Sequence, residues 1–194
     1  MLIAVRHGAT SFNTAKLEKS RGWLPVPLSL EGMKTSREVA ESLEAVEDVY
    51  AVYTSDLVRA VQAAEEIAQV LSMELQPREE LRDWDTGNLA GEIISKNLPI
   101  IHDHIDHPNK ILPGGESFQR FLDRCTPFLH ELVESDNICI AVTHNRVITL
   151  IKALSINKGK HPDTATLKKK APIEPSGLMI VRSDWKITFQ TKEG

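Results

Sequence analysis

Near the amino terminus the chain reads Leu2-Ile3-Ala4-Val5-Arg6-His7-Gly8-Ala9-Thr10, and its organisation follows from this segment. The apolar run at its start includes two β-branched residues and predicts a buried β-strand. A cation and an imidazole, Arg6 and His7, follow at once, and Gly8 lets the backbone turn sharply and approach a ligand. Because open α/β sheets bind ligands at the carboxyl ends of their strands, we interpret this strand end as a candidate site.

The composition is that of a soluble globular domain. The 194 residues are 41% hydrophobic and 26% charged, with a formal net charge of −4, and the length predicts a single domain over 1–194. The acidic balance argues against a nucleic-acid-binding protein, and no apolar run approaches the roughly 20 residues of a membrane span. The start does not resemble a secretory signal, and Cys125 and Cys139 lie in apolar patterns, so we expect a cytoplasmic protein with two buried thiols.

Strand-like and helix-like patterns alternate along the rest of the chain. Strands are expected at 49–53, 73–76 and 138–142, and residues 177–182 with 185–190 are expected to form a closing hairpin. Helices are expected over 30–43 and 57–71, from Glu116 onward with a kink or new segment at Pro127, and from Val147. This alternation predicts a three-layer α/β/α sandwich with a mainly parallel sheet.

The strand predicted at 138–142 also leads into a histidine, His144. If it lies parallel to the first strand and beside it, His7 and His144 meet at one sheet edge with Arg6 next to them. Arg59 lies one turn into the helix after the second strand, and that helix does not need it for its apolar stripe; alone, it would be read as a solvated arginine. Such a cluster beside a helix N-terminus suits a phosphate.

Several short motifs occur in an order that gives the chain a resemblance to a known family. They are Arg6-His7-Gly8 followed by Asn13, Gly22 with Pro27-Leu28-Ser29 and Gly32, Thr54-Ser55-Asp56-Leu57 with Arg59-Ala60, Leu81-Arg82-Asp83 followed by Gly87 and Gly91, Pro113-Gly114-Gly115-Glu116-Ser117, and Val142-Thr143-His144. With these motifs the chain resembles the histidine phosphatase superfamily, with its phosphoglycerate-mutase-like fold, from residue 1 to about residue 150.

The resemblance implies a role for each matched residue. His7 would be the nucleophile that takes the phosphoryl group, Asp83 would be the acid that protonates the leaving oxygen, and no metal or other cofactor would be used. Side chains implied to hold the phosphate oxygens are Arg6, Asn13, Arg59 and His144, the last also counted as catalytic. Physical chemistry agrees, because cations stabilise the charge on a transferring phosphoryl group and keep a neighbouring imidazole neutral and nucleophilic.

Two positions depart from the family pattern. Asp83 stands where Glu is common, which sets its carboxyl back by on the order of 1.3 Å, and Asp85 is the alternative acid. Asn145 stands where Gly often follows the second histidine, so its side chain would narrow the pocket or contact substrate. Arg21 and Gly22, in a loop fixed by prolines, are further candidate substrate-binding residues.

Two other segments carry unassigned polar residues. The histidines at 102, 104 and 107 fit no standard zinc spacing, and we interpret 100–113 as a polar loop over the mouth of the site. The run Lys168-Lys169-Lys170 either attracts an anionic substrate or forms a solvated face.

Three functions fit this sequence. The first is a metal-independent phosphatase that hydrolyses a small phosphorylated metabolite through a phosphohistidine on His7, as a monomer or homodimer without nucleic-acid or membrane partners. The second is a phosphoglycerate mutase, although the long basic substrate loops of such enzymes are missing around 95–113. The third is a weakly active, phospho-ligand-binding regulatory module, which only Asp83 and Asn145 support.

Overall fold

The computed structural model describes residues 1–14 and 18–190, and within them six strands form one mixed sheet. The strands are β1 Leu2–Arg6, β2 Val49–Thr54, β3 Leu75–Pro77, β4 Ile138–Thr143, β5 Leu178–Val181 and β6 Ile187–Gln190. Their order is β3-β2-β4-β1-β5-β6. The first four pair in parallel, and β5 and β6 join antiparallel as the expected closing hairpin. The prediction of a mainly parallel sheet is therefore confirmed.

Helices connect the strands on both sides of the sheet. In the described part of the chain they are α1 Ser11–Thr14, α2 Leu30–Ser42, α3 Val58–Leu71, α4 Ile94–Asp106, α5 Phe118–Glu134, α6 Asn145–Ile156 and α7 Thr164–Leu167. Short 3₁₀ turns occupy Glu79–Leu81 and Gly87–Leu89. None of the helices in 1–14 and 18–190 has the length and apolarity needed to cross a membrane.

Successive side chains of each strand enter different halves of the core. In β1, Leu2 and Ala4 pack in a cluster with α5 and α6, whereas Ile3 and Val5 pack in a second cluster with α2 and α3. Because helices cover both faces, the central strands β1 and β4 are buried on both sides, and their sequences are apolar up to the last residue of each strand. The predicted three-layer α/β/α sandwich is confirmed.

The segment 100–113 differs most from its predicted structure. Its first part, through Asp106, belongs to helix α4, so the prediction of a polar loop there is wrong. Ile101, His104 and Ile105 are buried at helical spacing, and the histidine within this stripe hides the apolar pattern from a reading of the sequence.

Smaller differences lie at the ends of elements. Helix α5 begins one residue after Ser117, whose side chain accepts a hydrogen bond from the Arg120 N–H, and it continues as one helix through Pro127. The third strand begins at Leu75 rather than two residues earlier because Ser72, at φ 53°, ends α3 in a left-handed turn. The four-residue helices α1 and α7 were not predicted.

The turn after β1 packs directly on the first turn of α2. A Cβ atom on Gly32 would lie 2.0 Å from the Ala9 carbonyl oxygen, and one on Gly8 would lie 2.4 Å from the Gly32 carbonyl oxygen. The Ser29 hydroxyl caps α2 by accepting from the Gly32 N–H, and it donates to the Ala9 carbonyl oxygen. This close backbone approach holds the segment that carries His7 against α2.

We expect Gly32→Ala to lower the free energy of unfolding by about 2 kcal/mol or more, because the obstructing atom is backbone and cannot rotate aside. Thermal unfolding should then shift down by roughly 4–8 °C for a chain of this size. Lys34→Ala, at an exposed position of the same helix, is the matched control, with an expected change within about 0.5 kcal/mol. Equal melting temperatures for the two variants would contradict the packing argument.

Candidate active site

Two histidines meet at the carboxyl ends of β1 and β4. The His7 N–H donates to the Thr143 carbonyl oxygen at 3.0 Å, which extends the parallel pairing beyond the strand ends. His144 follows directly and is the N-cap residue of α6. The two ring centroids are 5.1 Å apart, with the ring planes at 62°. The structure thus brings together the two histidines that the sequence placed at one sheet edge.

His7 is held as a single tautomer. Its Nδ1 lies 2.7 Å from the Gly8 carbonyl oxygen, which can only accept, so Nδ1 carries the proton and Nε2 keeps its lone pair. Burial, followed by the charges of Arg59 and Arg21, lowers the pKa of His7 well below its usual value. A neutral imidazole with a free Nε2 lone pair is a nucleophile at neutral pH.

His144 takes its orientation from a residue that lay in a recognised motif but was given no role in the sequence analysis. Ser55 follows β2, and its Oγ lies 2.7 Å from His144 Nε2 and accepts from the Leu57 N–H at 3.3 Å. With the serine O–H as the donor to Nε2, the histidine proton lies on Nδ1. Burial, followed by the charge of Arg59, lowers the pKa of His144 well below its usual value. The signal for Ser55 was its position directly after a buried strand.

Three buried arginines surround the histidines. Arg6 and Arg59 donate to backbone carbonyl oxygens, and Arg21 donates through Nε to the Thr10 hydroxyl at 2.9 Å. Burial lowers the pKa of all three, that of Arg59 to about 10. Because a guanidinium group does not lose its proton near neutral pH, all three are cations in the site.

Buried nitrogens without a hydrogen-bond partner are concentrated at this site, although one of them, Arg21 Nη2, lies 3.8 Å from a Glu18 carboxylate oxygen. Six buried side-chain nitrogens in the described residues have no hydrogen-bond partner. Four of them belong to the site: Arg6 Nε, Arg21 Nη2, Arg59 Nε and His144 Nδ1. A buried donor without a partner costs roughly 1–3 kcal/mol, so a cluster of four indicates a ligand with several acceptor oxygens and negative charge.

Asp83, rather than Asp85, faces this cluster. Asp83 lines the adjoining cavity, its Oδ1 accepts from the Arg146 N–H at 3.2 Å, and its charge opposes the lowering of the Arg59 pKa. Asp85 instead accepts from the Gly87 N–H and exchanges hydrogen bonds with Glu116, which makes it part of a turn. The geometry therefore favours Asp83 as the candidate acid.

The backbone at Asp83 is fixed by residues that the sequence analysis missed in this role. Its carbonyl oxygen accepts from Trp23 Nε1 at 2.8 Å and from Arg124 Nη2 at 3.3 Å. Arg124 also forms a largely buried ion pair with Glu116, 2.8 Å between Nη2 and Oε1. Glu116 lay in a recognised motif, but only the fold brings Trp23 and Arg124 to Asp83.

A cavity of about 390 Å³ adjoins the cluster, within the range of small-molecule sites. Its lining includes Arg6, Asn13, Arg21, Gly22, Asp83 and Asn145. His7, Arg59 and His144 are not among its lining residues; they are 3%, 0% and 0% exposed.

The predicted substrate-binding residues and Asn13 have clear local partners. The Asn13 amide donates one N–H to Glu18 at 3.1 Å, which leaves its second N–H for a ligand. The Gly22 carbonyl oxygen accepts from Arg59 Nη2 at 2.8 Å. The Asn145 Oδ1 accepts from the Ala171 N–H at 3.4 Å, so this side chain narrows the cavity by contacting another of its walls.

The model of the histidine phosphatase superfamily (branch 1) matches residues 2–166. The chain belongs to this superfamily. The prediction of an enzyme of the histidine phosphatase type is thereby confirmed at the level of the family.

Relatives of this superfamily member include two Arabidopsis thaliana proteins. Phosphoglycerate mutase-like protein 4 is 32% identical over 160 residues, covering 76% of this chain and 67% of its own length. A metal-independent phosphoserine phosphatase is 31% identical over 159 residues, and this match covers 77% of the present chain and 66% of the relative. The chain thus spans about two thirds of the length of these relatives. The structure of mycobacterial glucosyl-3-phosphoglycerate phosphatase matches the fold with a TM-score of 0.73 at 20% identity, covering 97% and 95% of the two chains.

The histidines at 102, 104 and 107 do not converge on one point. Each bonds to a backbone carbonyl oxygen, that of Lys168, Ile100 and Asp103 respectively. Across residues 1–14 and 18–190, no three His, Cys, Asp or Glu side chains are grouped to hold a metal ion. Cys125 and Cys139 are buried free thiols, as predicted.

The two site histidines should make stability depend on pH. Their pKa values lie well below the ordinary value of the unfolded chain, so on acidification the unfolded chain binds protons first. The free energy of unfolding is therefore unaffected by these two groups above about pH 6.5. Below that pH it falls by up to roughly 1.4 kcal/mol per pH unit for each imidazole.

We therefore expect His7→Gln to reduce the slope of unfolding free energy against pH by about 1 kcal/mol per pH unit between roughly pH 6.5 and 5. Urea titrations in phosphate-free buffer measure this slope, because phosphate would bind the folded state. A variant with the wild-type slope would show that His7 is not a neutral, buried imidazole in the folded protein.

Proposed function

We propose that this protein is a metal-independent phosphatase that hydrolyses small phosphomonoesters through a phosphohistidine on His7. The observation that carries the proposal is the cluster of unpaired N–H groups around a neutral His7. A phosphoryl group offers three equatorial oxygens, and positioned donors stabilise the charge on them during transfer. The small cavity supports a small phosphorylated metabolite as substrate.

In the first step, His7 Nε2 attacks phosphorus while the bond from phosphorus to the ester oxygen breaks. Arg6, Arg21 and Arg59 hold the phosphoryl oxygens, and His144 Nδ1–H donates to them. The protonated carboxyl of Asp83 gives its proton to the leaving oxygen, which departs as an alcohol. The second N–H of the Asn13 amide is a further donor.

In the second step, water attacks phosphorus and the bond from phosphorus to Nε2 breaks. The Asp83 carboxylate takes a proton from that water, which restores the acid for the next cycle. Inorganic phosphate leaves, and His7 returns to its neutral form. Water supplies both the nucleophile and the proton, so no metal ion or other cofactor is required.

The alternatives make different demands on the same residues. A phosphoglycerate mutase would return the phosphoryl group to substrate, which an assay of 3-phosphoglycerate interconversion detects. A binding module would not need a carboxyl at Asp83, where the buried contacts of Arg124 fix the backbone. The monomeric or homodimeric state and the cytoplasmic location stay predictions.

We expect turnover of p-nitrophenyl phosphate to persist in EDTA and to fall by at least about a thousandfold in His7→Ala, because the covalent step is removed. Intact-mass spectrometry after a rapid quench without acid should show a phosphoryl adduct on the wild type only. His161→Ala, at an exposed position, is the matched control and should keep wild-type turnover. Activity that is lost on chelation and restored by a divalent ion would refute a metal-independent mechanism.

Asp83→Asn keeps an oxygen acceptor for the Arg146 N–H but removes the acidic proton. It should slow hydrolysis of alkyl phosphates by about 10²- to 10⁴-fold, the usual contribution of a general acid. It should slow p-nitrophenyl phosphate much less, because that leaving group needs little protonation. Asp83→Glu should retain alkyl phosphate hydrolysis if the cavity accepts the longer side chain.

Asp85→Asn tests the alternative acid and should affect both classes of ester equally. If Asp83→Asn also slowed good and poor leaving groups by the same factor, Asp83 would not be the general acid.

A further inference from the structure

A second group of cations also lines the cavity. Lys168, Lys169 and Lys170 follow α7, and Arg146 lies in the first turn of α6. The cluster around His7 already contains three arginines, so these additional cations are not needed to hold the phosphoryl group. They also stand out in a chain whose net charge is −4, and a cleft lined by one sign of charge focuses its field on an incoming anion.

The lysine segment is held in place by side chains from two helices. From α4, His102 Nε2 donates to the Lys168 carbonyl oxygen at 3.2 Å. From α6, Arg146 Nη1 donates to the Leu167 carbonyl oxygen at 2.9 Å, and the Asn145 Oδ1 contacts the Ala171 N–H. The backbone on both sides of Lys169 and Lys170 is therefore fixed at the cavity, and the two exposed side chains extend from this fixed backbone.

Two of these lysines are not held in direct ion pairs within the described part of the chain, although the charge of Lys169 acts on Asp163. Lys168 Nζ pairs with Asp106 at 2.5 Å. Lys169 and Lys170 are exposed and form no ion pair within 4.0 Å among residues 1–14 and 18–190. Acidic side chains also line the cavity, but Glu18 is engaged by Asn13 and Arg21, which leaves Glu174 as the remaining opposing charge besides Asp83.

We propose that the physiological substrate carries a second anionic group, a carboxylate or a second phosphate, that Lys169 and Lys170 bind at the cavity. This inference rests on the proposed phosphatase function, because it assumes that the phosphoryl group occupies the cluster around His7. Substrates of this class are phosphorylated acids or bisphosphates, rather than phosphorylated alcohols whose only charged group is the phosphate that is removed.

The test compares substrates that share one carbon chain. 3-Phosphoglycerate has a carboxylate where glycerol 1-phosphate has a hydroxymethyl group, and glycerol 1,3-bisphosphate has a second phosphate. We expect the wild type to prefer one or both anionic substrates in kcat/KM. The double variant Lys169→Gln/Lys170→Gln should reduce that preference by about 5- to 30-fold, the combined effect of two exposed ionic contacts. The anionic substrate whose kcat/KM falls more in the double variant identifies the chemical class of the second group.

Lys160→Gln/Lys186→Gln is the matched control. It makes the same change in net charge at lysines that do not line the cavity, and it should leave the preference at its wild-type value. The wild-type preference should also shrink as salt rises, because exposed charges are screened.

A wild type without preference for either anionic substrate, or a preference unchanged in Lys169→Gln/Lys170→Gln, would overturn this inference while leaving the phosphatase proposal intact. If no ester is hydrolysed, the phosphatase proposal fails, and the inference is then decided by binding. Calorimetry of the same three compounds with the His7→Ala variant should show the same order of affinities and the same loss in the double lysine variant. Equal affinities would overturn it.

Discussion

The parallel pairing of β1 with β4 is the constraint on which the rest of this structure depends. Leu2–Arg6 lies opposite Cys139–Thr143, so the two strands end together and each leads into a histidine. A shift of one residue would exchange the buried faces of β1 and separate His7 from the His144 ring, because side chains alternate along a strand. The register that fills both halves of the core is therefore the register that assembles the site.

The site itself works against stability. Three guanidinium groups and two imidazoles are buried together, and burial of unpaired cations is unfavourable. The protein limits this cost by keeping both imidazoles neutral and by anchoring each guanidinium to a carbonyl or hydroxyl oxygen. The N–H groups that stay unpaired are those a phosphoryl group would satisfy.

The residues around this centre fall into two groups with separate origins. The proposed nucleophile and the proposed oxygen-binding groups come from strand ends and the segments that follow them. The cavity walls come from α4 and from the lysine segment after α7, which lie far apart in the chain and are joined by the contacts of His102 and Asp106. Substitutions in the cavity walls can therefore change which substrate is preferred, while the residues at the strand ends keep the same chemistry.

The sequence by itself determined the buried strands, most helices and the pair of histidines, because apolar periodicity and strand-end residues are local signals. It did not determine helix α4, because buried His104 occupies an apolar position in the stripe. Ser55 orients His144 from 89 residues away, and Arg124 holds Asp83 from 41 residues away. Contacts of this kind depend on which segments the packed sheet and helices bring together. Only the tertiary structure could therefore favour Asp83 over Asp85 as the candidate acid, or place Lys169 and Lys170 at the cavity, since no local pattern encodes those distances.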